Sequence, residues 1–224
     1  MKLKKYCQFI KNINSTQFLQ GLLLEGPHLP LTNSALDMSS LNLIINDILI
    51  NKRKNIIEFG SGVSTILIAR LARKNDLDIK IYSVDNDKSW IESIKKYIKN
   101  ENLDNFVQFI YAPLSQNKET PSLNNLFWYN EEKINEQINK TTFDCVIVDG
   151  PYANSKKKMV ARYPAYPYIK KHLTLKYSIF LDDACRRGER KVIKKWEEKI
   201  EGKFKIYNQQ LAYYIKGECY NFKN

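Results

Sequence analysis

The sequence predicts an α/β fold, a doubly wound, mostly parallel seven-stranded sheet with an antiparallel strand supplied by a C-terminal hairpin. Three observations predict it. Short apolar runs alternate with segments of helical spacing through the middle of the chain. A Gly-x-Gly turn closes the first run at Gly60 and Gly62, and two apolar runs around a turn at 208–210 end the pattern. Parallel strands need long crossovers, usually helices, so such alternation gives a sheet covered on both faces.

Each element has its own signal. After an irregular start marked by Gly26, Pro27 and Pro30, the residues Met38, Leu41, Ile44, Ile45, Ile48 and Leu49 place apolar side chains on one helical face. Strands are read near 55–59, 79–84, 106–111, 143–148 and 177–181, and helices near 64–74, 88–100, 127–139, 164–173 and 188–200. Ile66, Leu67, Ile68 and Leu71 carry the helix after the glycine turn, and Trp90, Ile91, Ile94, Tyr97 and Ile98 the next one. Phe204 to Tyr207 and Leu211 to Ile215 form the closing hairpin. Residues 113–126, rich in Pro, Ser and Asn, are the expected flexible loop, and no repeat interrupts the pattern.

Length and composition agree with a single domain. A chain of 224 residues, 43% hydrophobic, can bury roughly 70% of its unfolded surface in one core. The cysteines Cys7, Cys145, Cys185 and Cys219 form no C-x-x-C pair, and two fall in or beside expected strands. Neither a disulfide framework nor a zinc site follows, and a reducing compartment is expected. The basic N-terminus meets a charge before a signal-length apolar stretch forms, and no run approaches the ~20 apolar residues of a membrane span. A soluble, cytoplasmic protein is therefore expected. The net charge of +12, from 36 Lys and Arg against 24 Asp and Glu, suits an anionic partner such as nucleic acid, a sugar nucleotide or an anionic membrane face. It is equally explained by a solvated basic surface in a chain rich in Lys, Asn and Ile. The cluster Lys156-Lys157-Lys158 with Arg162 stands apart, because it follows a strand expected to carry chemistry.

The sharpest motif is Ile56-Ile57-Glu58-Phe59-Gly60-Ser61-Gly62-Val63-Ser64-Thr65. Two glycines after a strand and before a helix let the backbone approach a ligand at a helix N-terminus. A dinucleotide fingerprint would carry an apolar residue where Glu58 stands and a third glycine where Thr65 stands. Acid-x-Gly-x-Gly at this place resembles motif I of the class I S-adenosylmethionine-dependent methyltransferases. That resemblance implies a Rossmann-like methyltransferase fold and a cofactor cradle made by Glu58, Gly60, Ser61, Gly62, Ser64 and Thr65. The wording Glu-Phe-Gly-Ser-Gly-Val-Ser-Thr, followed by Ser-Val-Asp-Asn-Asp-Lys-Ser-Trp, is similar to a subgroup that includes enzymes of polysaccharide and cell-wall glycan modification. Residues 1–37 are then an N-terminal segment able to lid the site, and 38–224 the α/β core.

Asp85 ends the second strand, 25 residues after Gly60, where an acid can accept both ribose hydroxyls. Asp85 or Asp87 could instead cap the helix that follows, and capping is assigned to Asp87. The fourth strand ends Asp149-Gly150-Pro151-Tyr152 and the fifth Asp182-Asp183. Asp149, Asp182 and Asp183 should converge at the carboxyl ends of the central strands, where open α/β sheets bind ligands. Three carboxylates so close call for a proton or a cation, and Mg²⁺ or Mn²⁺ would satisfy them. The placement resembles cation-dependent O-methyltransferases of the catechol type, with one departure: Asp183 stands where those have Asn.

Asp149 is the candidate base, directly or through a metal-bound hydroxyl. Alternatively it caps the turn at Gly150. Of the two histidines, His28 in a Pro-flanked loop is the better outside candidate for the substrate side, and His172 reads as structural. Arg162, with Arg186 and Arg187, could grip an anionic or hydroxyl-rich acceptor, although Arg186 and Arg187 lie within a turn of Asp183. Asp149-Gly150-Pro151-Tyr152 also differs by one residue from the Asp-Pro-Pro-Tyr motif of amino-methyltransferases acting on nucleobases, where Tyr152 would stack on a flipped base. The expected acceptor is thus a sugar, glycan or other small molecule, with nucleic acid as the alternative and a non-catalytic cofactor-binding module as a third reading. The oligomeric state is not legible.

Overall fold

The computed structural model describes residues 2–32, 34–117, 126–138, 140–153, 155 and 158–217. In chain order the elements are α1 (Lys2–Leu23), α2 (Met38–Ile50), β1 (Asn55–Phe59), α3 (Val63–Lys74), β2 (Lys80–Asp85), α4 (Lys88–Asn100) and β3 (Val107–Tyr111). There follow β4 (Leu114–Gln116), β5 (Phe127–Tyr129), α5 (Glu131–Ile138), β6 (Phe143–Val148), α6 (Ala165–Ile169), β7 (Leu173–Leu181), α7 (Arg187–Glu197), β8 (Lys205–Tyr207) and β9 (Leu211–Lys216). Seven strands form one sheet in the order β3-β2-β1-β6-β7-β9-β8. All neighbours pair in parallel except β9, which runs antiparallel to both β7 and β8. The chain winds outward from β1 to β3, then returns to β6 on the other side of β1, so the strand order reverses between β1 and β6. In a sheet of this topology the crevice at the carboxyl ends of those two strands is the ligand site.

The period of two along the strands divides the core between the two faces. Ile57, Phe59, Val146 and Val148 pack on one side with the aromatic residues around Trp128, Tyr168 and Trp196. Ile56, Ile81, Cys145 and Ile147 pack on the other with α2 and α3. Near-continuous apolar strands are what a sheet buried on both faces requires. Among the described residues no helix is long and apolar enough to cross a membrane.

Four places differ from the sequence reading. Residues 2–23, expected to be irregular, form α1. Its C-terminal carbonyls are held from outside the segment: Arg70 of α3 donates from Nη1 to Leu22 O (2.7 Å) and Leu23 O (3.2 Å). The expected helix at 127–139 divides. Phe127-Trp128-Tyr129 extends as β5, an aromatic run that fits a strand and pairs with β4, and the helix begins only after Asn130, whose side chain accepts from Lys133 N (3.0 Å). Strand β4 lies in the expected loop 113–126, of which 118–125 fall outside the described residues. The helix expected at 164–173 stops at Ile169 and gives way to a 3₁₀ turn, Lys170–His172, and β7 starts at Leu173. Lys156, Lys157 and Cys219 lie outside the described residues.

Candidate active site

β1 ends where the chain must turn sharply beside its neighbour. Gly60 has φ +105°, a region that favours glycine, and its N–H donates to Val84 O of β2 at 2.8 Å. Across the crevice Asp149 N and Gly150 N both donate to Phe59 O, at 2.9 and 2.6 Å. A Cβ on Gly60 would stand 2.9 Å from Gly150 N, and one on Gly150 would stand 2.2 Å from the Tyr129 hydroxyl. The two turns are thus pressed together, and a cavity of about 800 Å³ opens over them, large enough for a cofactor and part of an acceptor. Its walls include Gly60, Ser61, Asp85 and Trp90 on one side and Asp149, Tyr152, Asp182 and Asp183 on the other.

Asp85 is fixed at the cavity wall by two backbone donors, Ser61 N to Oδ2 (2.8 Å) and Asp87 N to Oδ1 (2.9 Å). Burial raises its pKa against those hydrogen bonds. Capping of α4 falls to Asp87, which accepts from Ser89 N and Trp90 N at 2.9 and 3.0 Å. Trp90 Nε1 donates to Ser61 O at 2.7 Å and ties α4 to the glycine turn.

Glu58, Ser64 and Thr65, expected to hold cofactor, face one another instead of the cavity. Glu58 is fully buried and accepts from the hydroxyls of Ser64, Thr65 and Ser83, the last at 3.1 Å. Thr65 Oγ1 also accepts from Gly62 N (3.1 Å). An acid two residues before the turn thus locks the first turn of α3 onto β1 and β2, beneath the cavity floor. Burial pushes its pKa up to about 7 in spite of the three donors. Gly62 itself is extended, with φ −179°, and no atom lies within 4 Å of where its Cβ would be.

The fourth and fifth strands do bring three carboxylates together. Each of Asp149, Asp182 and Asp183 offers an oxygen, and these oxygens all lie within 4.8 Å of one another. Burial raises Asp149 to about 7, opposed by Arg162 and helped by Asp183, and burial with the neighbouring Asp149 and Asp183 raises Asp182 well above the carboxylate range. The donor set suits a hard cation. A cation is already there, however. Arg162, expected to grip the acceptor, has a side chain only 4% exposed. Its guanidinium meets Asp149 Oδ1 at 3.2 Å and Asp183 Oδ2 at 3.1 Å, and donates to the carbonyls of Asp149, Asp182 (3.2 Å) and Pro151 (3.5 Å). Arg186 Nη1 adds a second contact to Asp183 Oδ2 at 2.7 Å. As the site stands, Mg²⁺ or Mn²⁺ does not fit it, because two of the three ligands already hold a buried guanidinium.

Other expected residues fall in and out of the site. Tyr152 is 65% exposed on the cavity rim. His28 is exposed and does not line the cavity, and Ser34 and Ala35 come from the N-terminal segment instead. His172 packs against the Tyr168 ring, 6.1 Å between centroids, and Arg187 is exposed away from the wall. Sequence reasoning missed Tyr129, whose buried ring stacks on Phe59 at 6.0 Å while it lines the cavity between Asp85 and Asp149. The aromatic triplet beginning at Phe127 was its available signal.

Comparison with known proteins agrees with this geometry. No curated protein sequence matches the chain. A putative caffeoyl-CoA O-methyltransferase from Staphylococcus aureus superposes with a TM-score of 0.56 at 20% identity, over 97% of this chain and 100% of that one. The SAH-bound Podospora anserina methyltransferase PaMTH1 gives 0.62 at 14% identity, over 96% and 93%. An O-methyltransferase from Bacillus cereus in complex with SAH gives 0.57 at 15%, over 97% and 98%. At these identities the likeness establishes the fold, a Rossmann-like methyltransferase sheet. The methyltransferase domain family matches residues 57–184, from the Glu58 strand through the Asp182-Asp183 pair, and the chain belongs to that family.

Proposed function

We propose that the protein transfers a methyl group from S-adenosylmethionine to a hydroxyl of a sugar, glycan or other small acceptor, with Asp149 taking the hydroxyl proton. The observation that carries this reading is Asp149 itself, a carboxyl raised to about 7 on the wall of the same cavity as Gly60 and Asp85. A base poised near the working pH is the most effective proton acceptor. Gly60, Ser61, Asp85 and Trp90 would hold the cofactor, Asp85 through ribose hydroxyls. SAH in two of the similar structures supports that choice. When bound, S-adenosylmethionine supplies an electrophilic sulfonium methyl. The chain's task is then to orient the acceptor oxygen, exclude water and remove the proton, which passes from the hydroxyl to the Asp149 carboxylate. Tyr152 offers an exposed ring face at the rim on which a sugar or planar ring can lie.

The N-terminal segment 1–37 acts in this reading as a partial lid, since Ser34 and Ala35 reach the cavity. Free thiols at Cys7, Cys145 and Cys185 suit a cytoplasmic setting. The nucleobase alternative draws on Tyr152 after Asp149-Gly150-Pro151. Calorimetry with SAH and with NAD tests the cofactor, and radiolabelled S-adenosylmethionine offered to hydroxyl acceptors and to oligonucleotides tests the acceptor. Binding of NAD alone refutes the first assignment, label in the oligonucleotides alone refutes the second, and SAH binding without label in any acceptor leaves a binding module.

A further inference from the structure

The acid cluster carries an inference that goes beyond the methyl-transfer reading. Its four side chains come from three separate segments: Asp149 follows β6, Asp182 and Asp183 follow β7, and Arg162 precedes α6. Near them in the first turn of α7 lies Glu189, 1% exposed, with Oε1 lacking a hydrogen-bond partner among the described residues. Asp149, Asp183, Asp182 and Glu189 all favour the charge of Arg162, against the cost of burying it. Charge of this density in a largely buried cluster must be balanced by a proton, a metal or a protein cation.

We infer that Arg162 is the resident cation of this site, standing where a divalent ion would otherwise be needed, and that the enzyme works without such an ion. Its guanidinium reaches two of the three potential ligands, at 3.2 Å (Asp149 Oδ1) and 3.1 Å (Asp183 Oδ2). Three backbone carbonyls, those of Asp149, Pro151 and Asp182, receive its remaining donors. To withdraw, Arg162 would have to leave those carbonyls and the Asp149 carboxylate without a partner cation, with Asp183 held by Arg186 alone, which is costly. An ion bound to the same two carboxylate oxygens would lie at coordination distance from them and a few ångströms from a fixed positive charge. Asp183 has φ +61°, a left-handed conformation that holds its carboxylate between Arg162 and Arg186, each in contact with Oδ2. Arg162 is therefore a positioning residue. It fixes Asp149 and Asp183 and neutralises one of their charges.

The test is a titration of the full-length protein with MnCl₂ alone, reading unbound Mn²⁺ by its electron paramagnetic resonance signal, so that neither acceptor nor cofactor enters. The parent protein should leave Mn²⁺ free. Arg162→Met, checked for folding by its melting curve, should take up one equivalent with affinity raised roughly 10- to 100-fold, the usual range when a group around a metal site changes. Arg162→Lys, which keeps the charge, should stay close to the parent, and Arg162→Met/Asp183→Asn should lose the gained binding. Tight uptake of one Mn²⁺ by the parent overturns the inference even if no variant folds. A folded Arg162→Met that also leaves Mn²⁺ free overturns it too, because the guanidinium would then not be what keeps a metal out. Neither result bears on whether SAH binds, so failure here is distinguishable from failure of the methyltransferase reading.

Discussion

Gly60 and Gly150 meet backbone to backbone at the ends of β1 and β6, with a Cβ on the first placed 2.9 Å from the nitrogen of the second and a Cβ on the second 3.0 Å from Cα of the first. Their contact sets the distance between the half of the cavity that holds Asp85 and the half that holds Asp149. Alanine at Gly60 adds a clash with backbone to an unfavourable φ of +105°, so Gly60→Ala should cost on the order of 2–3 kcal/mol of stability. Denaturant unfolding measures it, and a variant as stable as the parent contradicts the packing described.

Gly62 should behave in the opposite way. Its extended backbone accepts any residue and its Cβ would enter open space. Gly62→Val should therefore melt within a few degrees of the parent while SAH affinity falls at least about tenfold, because the side chain fills the space beside the turn. Calorimetry showing unchanged affinity would place the cofactor elsewhere.

Asp149→Asn keeps the shape and the acceptor oxygen facing Arg162 but cannot take a proton. Single-turnover rates at saturating cofactor should fall roughly 10²- to 10⁴-fold, with SAH affinity within a few-fold of the parent. In the parent the rate should rise with pH through about 7, the value to which burial pushes Asp149, because only the deprotonated form accepts a proton. A flat profile across that range, or a variant within a few-fold of the parent, removes Asp149 from the step.

Glu58 gives a stability signature. Its carboxyl rises from 4.5 to about 7 on folding, so the folded protein binds this proton more tightly than the unfolded chain. Stability from this group is then full below pH 4.5 and declines as pH rises to about 7, by up to roughly 3 kcal/mol. Glu58→Gln removes the titration, so the difference in unfolding free energy between parent and variant should shift in that direction over the same window. A difference independent of pH would show that Glu58 is ionised throughout.

Arg70 ties the N-terminal segment to the core. It is buried, donates to Glu101 from Nε at 2.8 Å and from Nη2 at 2.7 Å, and also holds the α1 carbonyls. Arg70→Ala leaves the buried Glu101 with only the long contact to Arg73 Nη2 (3.9 Å) and should cost about 3–5 kcal/mol. Trypsin should then cut within α1 faster than in the parent. Equal cleavage rates would mean that α1 is anchored by its apolar contacts alone.

Sequence by itself determined the alternating sheet, the glycine turn after its first strand and the antiparallel hairpin, because apolar periodicity and turn residues are local signals that tertiary packing here reinforces. It also brought Asp149, Asp182 and Asp183 to one crevice, since strand ends in this topology converge. Tertiary structure decided what local pattern cannot encode. α1 is held by an arginine 47 or more residues away. Glu58 turns inward because the hydroxyls of Ser64, Thr65 and Ser83 reach it from α3 and β2. Tyr129 reaches the cavity from a strand whose partner lies across a loop. Above all, the carboxylates of Asp149 and Asp183 are met by Arg162, whose partners are scattered from 149 to 183. A buried charge takes the nearest counter-charge in space, and that neighbour is fixed by packing and not by spacing along the chain.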